Sequence, residues 1–132
     1  MNSSTAALSL IGRLLLAAIF LVSGFEKISG FQGLIGAISS KGLPMPQLFA
    51  VATIIVEVGG ALLLVFGWKA RWAAFLLAVF TVIITLLFHN FWAVPEAQKM
   101  MQQINFLKNL GLIGGLLYIT AFGPGRLSVD RR

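Results

Sequence analysis

Residues 48–88 read LFAVATIIVEVGGALLLVF, then GWKAR, then WAAFLLAVFTVIITLLF, so two long apolar runs are joined by five residues. Glu57 is the one charge in the first apolar run, and the second run has none. A helix needs about 20 mostly apolar residues to cross the hydrocarbon core of a bilayer. The five residues between the runs include a glycine and two basic side chains, which is typical of a tight turn at a membrane surface. We therefore predict two antiparallel membrane-spanning helices.

Two more apolar runs extend the pattern to four spans, at residues 8–25, 48–66, 72–88 and 105–122. Residues 31–38 (FQGLIGAI) are apolar but too short to cross, so we expect a short interfacial or re-entrant helix there. Residues 98–103 are expected to form a short surface helix. No basic residue precedes the first run and no cleavage site follows it, so we predict a retained helix. The predicted fold class is all-α: an integral membrane four-helix bundle with one domain over residues 1–132.

The composition supports a lipid environment. Of the 132 residues, 58% are hydrophobic and 11% are charged, whereas soluble domains have about 25% charged residues. A chain this short cannot bury so much apolar surface within itself. The net charge of +6 comes from scattered basic residues near helix ends, so we predict that these residues contact anionic lipid headgroups and that the protein binds no nucleic acid.

With no cysteine and one histidine, we predict no metal site and no intrinsic redox cofactor.

The distribution of Lys and Arg predicts the orientation of the bundle. The side with both termini and the tight turn holds five basic residues: Lys69, Arg71, Arg126, Arg131 and Arg132. The other side holds three: Lys27, Lys41 and Lys99. Because cytoplasmic loops carry an excess of Lys and Arg, we predict that both termini are cytoplasmic.

Glu57 lies near the middle of the second span, where a charge costs about 3 kcal/mol to insert. It therefore needs a proton, a partner or water. At about 1.5 Å per residue, Arg13 lies roughly 8 Å from it along the bundle axis and Lys108 roughly 10 Å. The long side chain and planar guanidinium group of Arg favour an Arg13–Glu57 pair, and a Lys108–Glu57 pair is the alternative. In one interpretation this pair is purely structural and sets the register of the helices.

The other interpretation is a polar chamber that opens toward the non-cytoplasmic side. Helical periodicity places one polar or small-residue face on each span, and these faces converge in the bundle interior. Such a chamber can hydrogen-bond a carbonyl, an anion or a quinone head group, and a neutral histidine can move protons. For His89 alone, the alternative is that it lies at the membrane–water interface, among the aromatic residues that are enriched there. The candidate ligand-binding residues are Lys27, Glu57, His89, Lys108 and Asn109.

These polar positions belong to an ordered set of short motifs spread over nearly the whole chain. The set comprises Arg13, Phe20–Gly24, Lys27, Gly42–Pro44, Glu57–Gly60, Leu64–Gly67, Arg71, Phe88–His89, Phe106–Asn109, Gly114–Gly115, Gly123–Gly125 and Ser128–Asp130. In this order they resemble the DoxX family of small bacterial membrane proteins. The resemblance implies four helices in the inner membrane. It also implies a link to oxidoreductases, since the family takes its name from a membrane subunit of quinone-reducing thiosulfate oxidation.

From the resemblance we expect a multi-pass protein of the bacterial inner (cytoplasmic) membrane. Together with the chamber, it favours a membrane subunit or docking partner of a soluble or membrane oxidoreductase, with quinone as the ligand. The alternatives are a non-catalytic assembly or scaffold protein and a transporter of small solutes or protons. The chain has no catalytic motif or redox centre of its own, which leaves open whether it is an enzyme. A homo-oligomer is compatible with the sequence.

Overall fold

The computed structural model describes residues 1–132, and every regular element in it is helical. The α-helices are α1 (Ser3–Ser29), α2 (Phe31–Ser40), α3 (Pro46–Phe66), α4 (Ala70–Phe88) and α5 (Glu96–Phe122), with a 3₁₀ turn at Phe91–Ala93. The four helices other than α2 are long and apolar enough to cross a membrane. The predicted four-helix membrane fold with a short additional helix after the first span is therefore confirmed.

The four spans pack in the order α1, α3, α4, α5, and α2 lies against α3. Because successive spans alternate in direction, both termini and the α3–α4 turn lie at one end, which we call the terminal face. The opposite end, with α2 and residues 89–95, is the loop face. α1 and α5 close the ring only loosely. They meet at Gly115, where a Cβ would lie 3.1 Å from Leu16 Cδ1.

The core is built from the small and polar faces that the periodicity predicts. On α1 these are Ala17, Phe20 and Gly24, and on α4 they include Ala74 and Ala78, all of them buried. α3 and α4 approach closely at Gly60, where a Cβ would lie 2.9 Å from Leu77 Cγ. Small residues let backbones come together in lipid, where the hydrophobic effect does not drive helices to associate.

α5 is longer than the sequence pattern predicts. It begins at Glu96 rather than near residue 105, so the predicted surface helix at 98–103 is part of the same continuous helix. No glycine or proline follows Pro95 in this region, and Glu, Gln, Lys and Met are good helix formers. The polarity of this segment marks where the helix leaves the hydrocarbon core. It does not mark where the helix begins.

Residues 123–132 fold back over the terminal face. The Val129 and Asp130 amides donate to the carbonyls of Phe66 and Gly67, at the end of α3. Both oxygens of the Asp130 carboxylate accept backbone hydrogen bonds of 2.9 Å, from Lys69 and Ala70 at the start of α4. Lys69 has a left-handed backbone (φ 48°) and forms no side-chain cap, so Asp130 supplies the missing acceptor and complements the helix dipole.

Candidate functional site

Arg13 does not pair with Glu57, and that prediction is wrong. Its guanidinium is buried and donates to the Pro124 carbonyl at 2.6 Å, the Leu127 carbonyl at 2.9 Å and the Val65 carbonyl at 3.3 Å. Val65 is eight residues beyond Glu57 on α3, which separates the two levels by roughly 12 Å. Arg13 thus binds two carbonyls of the terminal segment and one carbonyl near the end of α3.

The partner of Glu57 is Lys27. Its Nζ lies 2.9 Å from Glu57 Oε1 and donates a second hydrogen bond to Ser23 Oγ at 2.5 Å. Gly24 allows α1 to approach α3 here, since a Cβ at that position would lie 2.5 Å from Val58 Cγ2. Lys27 follows on the same face of α1, and its flexible four-carbon stem brings the ammonium to the carboxylate. The alternative pair of Lys108 with Glu57 is also wrong.

The Lys27–Glu57 pair leaves one acceptor unused. The Glu57 side chain is 2% exposed, yet its Oε2 atom has no hydrogen-bond partner in the chain. Pairing with Lys27 offsets much of the cost of a carboxylate at this depth. An unsatisfied oxygen of a buried charged group costs further free energy, so it favours any ligand that donates a hydrogen bond to it.

All five candidate ligand-binding residues line one cavity of about 590 Å³ between α1 and α5, which we call the polar cleft. Its polar walls are Lys27, Glu57, His89, Lys108 and Asn109, joined by Ser23 and Glu26. The Leu16–Gly115 contact lies toward the terminal face, so the helices diverge toward the loop face. Leu15 and Val22 also line the cleft and are 69% and 57% exposed, so the cleft opens sideways into the region of the lipid tails.

A chain of hydrogen bonds orients Asn109. Its Nδ2 donates to Thr85 Oγ1 at 2.9 Å, and the Thr85 hydroxyl donates to the Thr81 carbonyl. These threonines lie on the buried face of α4 that the periodicity predicts. One hydrogen of the amide group is engaged, so the Asn109 carbonyl oxygen and the second amide hydrogen remain available to a ligand. Lys108, the neighbouring residue, forms no hydrogen bond or ion pair and is free to donate.

His89 lies at the end of α4, and its Nδ1 is 2.7 Å from Gln102 Oε1. With the amide oxygen as acceptor, Nδ1 donates this hydrogen bond, and in that tautomer Nε2 is an acceptor. Beside it, Phe91, Trp92 and Phe106 pack edge to face with ring centroids 5.3 to 5.8 Å apart. The imidazole therefore lines the cleft beside an aromatic cluster. Gln102 was missed because the sequence pattern places the start of the fourth span after it.

Comparisons with known proteins point to one family, and two relatives that match over most of the chain are inner membrane proteins. The family model described as DoxX matches residues 8–90. Inner membrane protein YphA of Escherichia coli (strain K12) is 36% identical over 131 residues, which are 99% of this chain and 94% of that protein. Inner membrane protein YqjF of the same organism is 34% identical over 122 residues, 92% of this chain and 88% of that protein.

A shorter likeness extends to eukaryotes. The ER-derived vesicles protein ERV29 of Saccharomyces cerevisiae is 29% identical over 80 residues, which are 61% of this chain but 26% of that protein. No solved structure matches the chain significantly.

Proposed function

This chain belongs to the DoxX family of integral membrane proteins, and on that premise we propose that its polar cleft binds the head group of a membrane quinone. We further propose that it acts in the bacterial inner membrane as a subunit or docking partner of an oxidoreductase assembly. The observation that carries the proposal is the Lys27–Glu57 pair, with the buried Glu57 Oε2 unpartnered, beside a cleft that opens toward lipid.

The polar groups of the cleft suit both redox states of a quinone. The ammonium groups of Lys27 and Lys108 can donate to the carbonyl oxygens of the oxidised ring. The Asn109 carbonyl can accept from a hydroxyl of the reduced ring, and Glu57 Oε2 can accept from the other hydroxyl if the side chains that cover it move aside. A cleft of about 590 Å³ is also within the range of small-molecule sites, roughly 300–1,000 Å³. The isoprenoid tail would leave past Leu15 and Val22 into the bilayer.

The redox chemistry in this proposal belongs to a partner. Reduction of the bound quinone takes two electrons from the redox centre of the partner oxidoreductase and two protons from water. His89 is suited to pass those protons, because Nε2 of the neutral ring is an acceptor and the residue lies at the loop face. The role of this chain is to hold the ring, protect it from the lipid tails and keep the polar contacts that both redox states need.

Quinone content of the purified protein tests the proposal. We expect about one quinone per chain in wild-type protein extracted in mild detergent, and at least about tenfold less in Glu57→Gln or Lys108→Ala, since each loses a charged hydrogen bond. Lys99→Ala is the matched control, because Lys99 is exposed on the same helix outside the cleft. Wild-type protein without quinone and without a co-purifying oxidoreductase would contradict the proposal.

A steric variant separates loss of binding from loss of folding. Val22→Trp adds bulk at the mouth of the cleft on a side chain that is 57% exposed, so it should exclude quinone without disturbing the core. Val51→Trp, on a 45% exposed position of α3 outside the cleft, should retain quinone. Equal quinone content in both proteins would argue against this cleft as the site.

A scaffold role is the second candidate, favoured by the way the Lys27–Glu57 pair joins α1 to α3. In that case Glu57→Gln lowers the yield of folded protein and changes no ligand content. The transporter alternative has less support, because the Leu16–Gly115 contact closes the cleft toward the terminal face.

A further inference from the structure

The terminal face carries a second pair of cavities, far from the polar cleft. One, of about 280 Å³, is polar and is lined by Lys69, Arg71, Trp72, Pro124, Asp130 and Arg132; we call it the basic pocket. The other, of about 370 Å³, is apolar and is lined by Arg71, Trp72, Phe75 and Thr120 between α4 and α5; we call it the acyl groove. The two cavities share Arg71 and Trp72, so they form one continuous surface with a polar end and an apolar end.

We propose that this surface is a binding site for one anionic phospholipid, with its phosphate in the basic pocket and an acyl chain in the acyl groove. The charge of the pocket favours an anion. Three cationic side chains line it, and the one acidic side chain, on Asp130, has both oxygens engaged by backbone amides. Lys69 and Arg132 donate no side-chain hydrogen bond within the chain. The Lys69 ammonium lies 5.4 Å from the centroid of the exposed Trp68 ring, and this contact leaves its N–H groups able to donate to a ligand. Basic pockets between membrane helices are well suited to lipid phosphates.

The backbone of the terminal segment brings these cations together. Gly123 has φ +84°, a conformation that favours glycine, and a Cβ there would lie 2.5 Å from the Arg132 carbonyl oxygen and 3.1 Å from Arg71 Nε. Arg71 also donates to the Ala121 carbonyl at 2.7 Å, which holds its guanidinium beside the end of α5. The turn at Gly123 therefore places Arg132 next to Arg71.

The depth of the site matches a lipid headgroup rather than a free phosphate. Trp68 and Trp72 are 51% and 77% exposed beside the pocket, and exposed tryptophans mark the membrane–water interface. Below them the acyl groove continues along Phe75 in the direction of the hydrocarbon core. A free phosphate would use the pocket and leave the groove without a ligand, whereas a phospholipid fills both.

Native mass spectrometry of the full chain, released from mild detergent with added lipid, tests the site. We expect dioleoyl phosphatidylglycerol to remain bound about tenfold more often than dioleoyl phosphatidylcholine. The variant Lys69→Gln/Arg132→Gln should lose this preference, since each cation near a membrane surface contributes several-fold in affinity. Lys41→Gln/Lys99→Gln is the matched control, because it removes the same charge from exposed positions on the loop face. It should keep the preference.

A competition measurement and a groove variant distinguish the lipid from other anions. Inorganic phosphate should not displace phosphatidylglycerol, and Thr120→Trp, which fills the acyl groove, should weaken its retention. Displacement by phosphate would instead make this a site for free phosphate and overturn the proposal. Equal retention of the two lipids by wild-type protein, or an unchanged preference in the Lys69/Arg132 variant, would overturn it as well. Because the two sites lie at opposite faces, none of these outcomes affects the quinone proposal.

Discussion

Arg13 donates to three carbonyls that belong to two distant parts of the chain, the end of α3 and the terminal segment. Arg13→Met leaves one buried and two partly buried carbonyls without a donor, and we expect it to lower the free energy of unfolding by about 3 kcal/mol. Arg13→Lys keeps the charge but lacks the planar guanidinium group. Because the charge is retained, it should lower the free energy of unfolding by less than Arg13→Met does. Titration into denaturing detergent measures both. The control is Arg126→Met, which removes an exposed guanidinium that has no hydrogen bond; an equal loss there would contradict the assignment.

The Lys27–Glu57 pair predicts a strong energetic coupling. Lys27→Met leaves a buried carboxylate unpaired, and Glu57→Leu leaves an ammonium without its partner, so each should destabilise the protein, the first by about 3 kcal/mol. The double variant removes both charges and should recover most of this loss. A double-mutant cycle on the free energy of unfolding measures the coupling. Additive single effects would contradict a direct pair. Recovered stability without recovered quinone would show that the pair also has a binding role.

Among the elements, the faces of the helices are predicted well and their ends are not. Ala17, Phe20 and Gly24 are buried as a stripe because helical periodicity alone decides which residues share a face. The partner of Glu57 depends instead on the axial offset between α1 and α3, to within one turn. The estimate takes the ends of the apolar runs as level with one another, but α1 projects beyond the end of α3, and Arg13 lies level with Val65. It therefore favoured Arg13 over Lys108 and did not consider Lys27. Contacts such as Arg13 with Pro124, 111 residues apart, leave no periodic signal.

The close packing of α3 on α4 predicts opposite effects at two adjacent glycines. A Cβ at Gly60 would lie 2.9 to 3.1 Å from three atoms of Leu77, so Gly60→Ala should cost about 1–3 kcal/mol of stability. At Gly59 nothing lies within 4 Å, so Gly59→Ala should be neutral or stabilise by up to about 1 kcal/mol through helix propensity. Unfolding of the two variants under identical conditions makes the comparison. Equal effects would mean that helix propensity, and not the contact with Leu77, decides stability here.

For the whole molecule, the two faces have different structures. At the terminal face, Arg13, Asp130 and the turn at Gly123 close the bundle and bind the last ten residues over it. At the loop face, α1 and α5 diverge and the polar cleft opens. Two of the four lysines toward this face, Lys27 and Lys108, line the cleft, so fewer cations are left there to contact headgroups. The five basic residues at the terminal face therefore dominate the charge asymmetry.

This asymmetry predicts that the terminal face is cytoplasmic and that the polar cleft opens toward the opposite side. The chain has no cysteine, so single substitutions provide unique labels. Ser3→Cys marks the terminal face and Gln98→Cys marks the loop face, and both positions are exposed. In intact spheroplasts, a membrane-impermeant maleimide should label Gln98→Cys at once and Ser3→Cys only after the membrane is opened. The reverse pattern would place the cleft on the cytoplasmic side, where a soluble oxidoreductase of the cytoplasm, rather than one beyond the membrane, would reach the quinone.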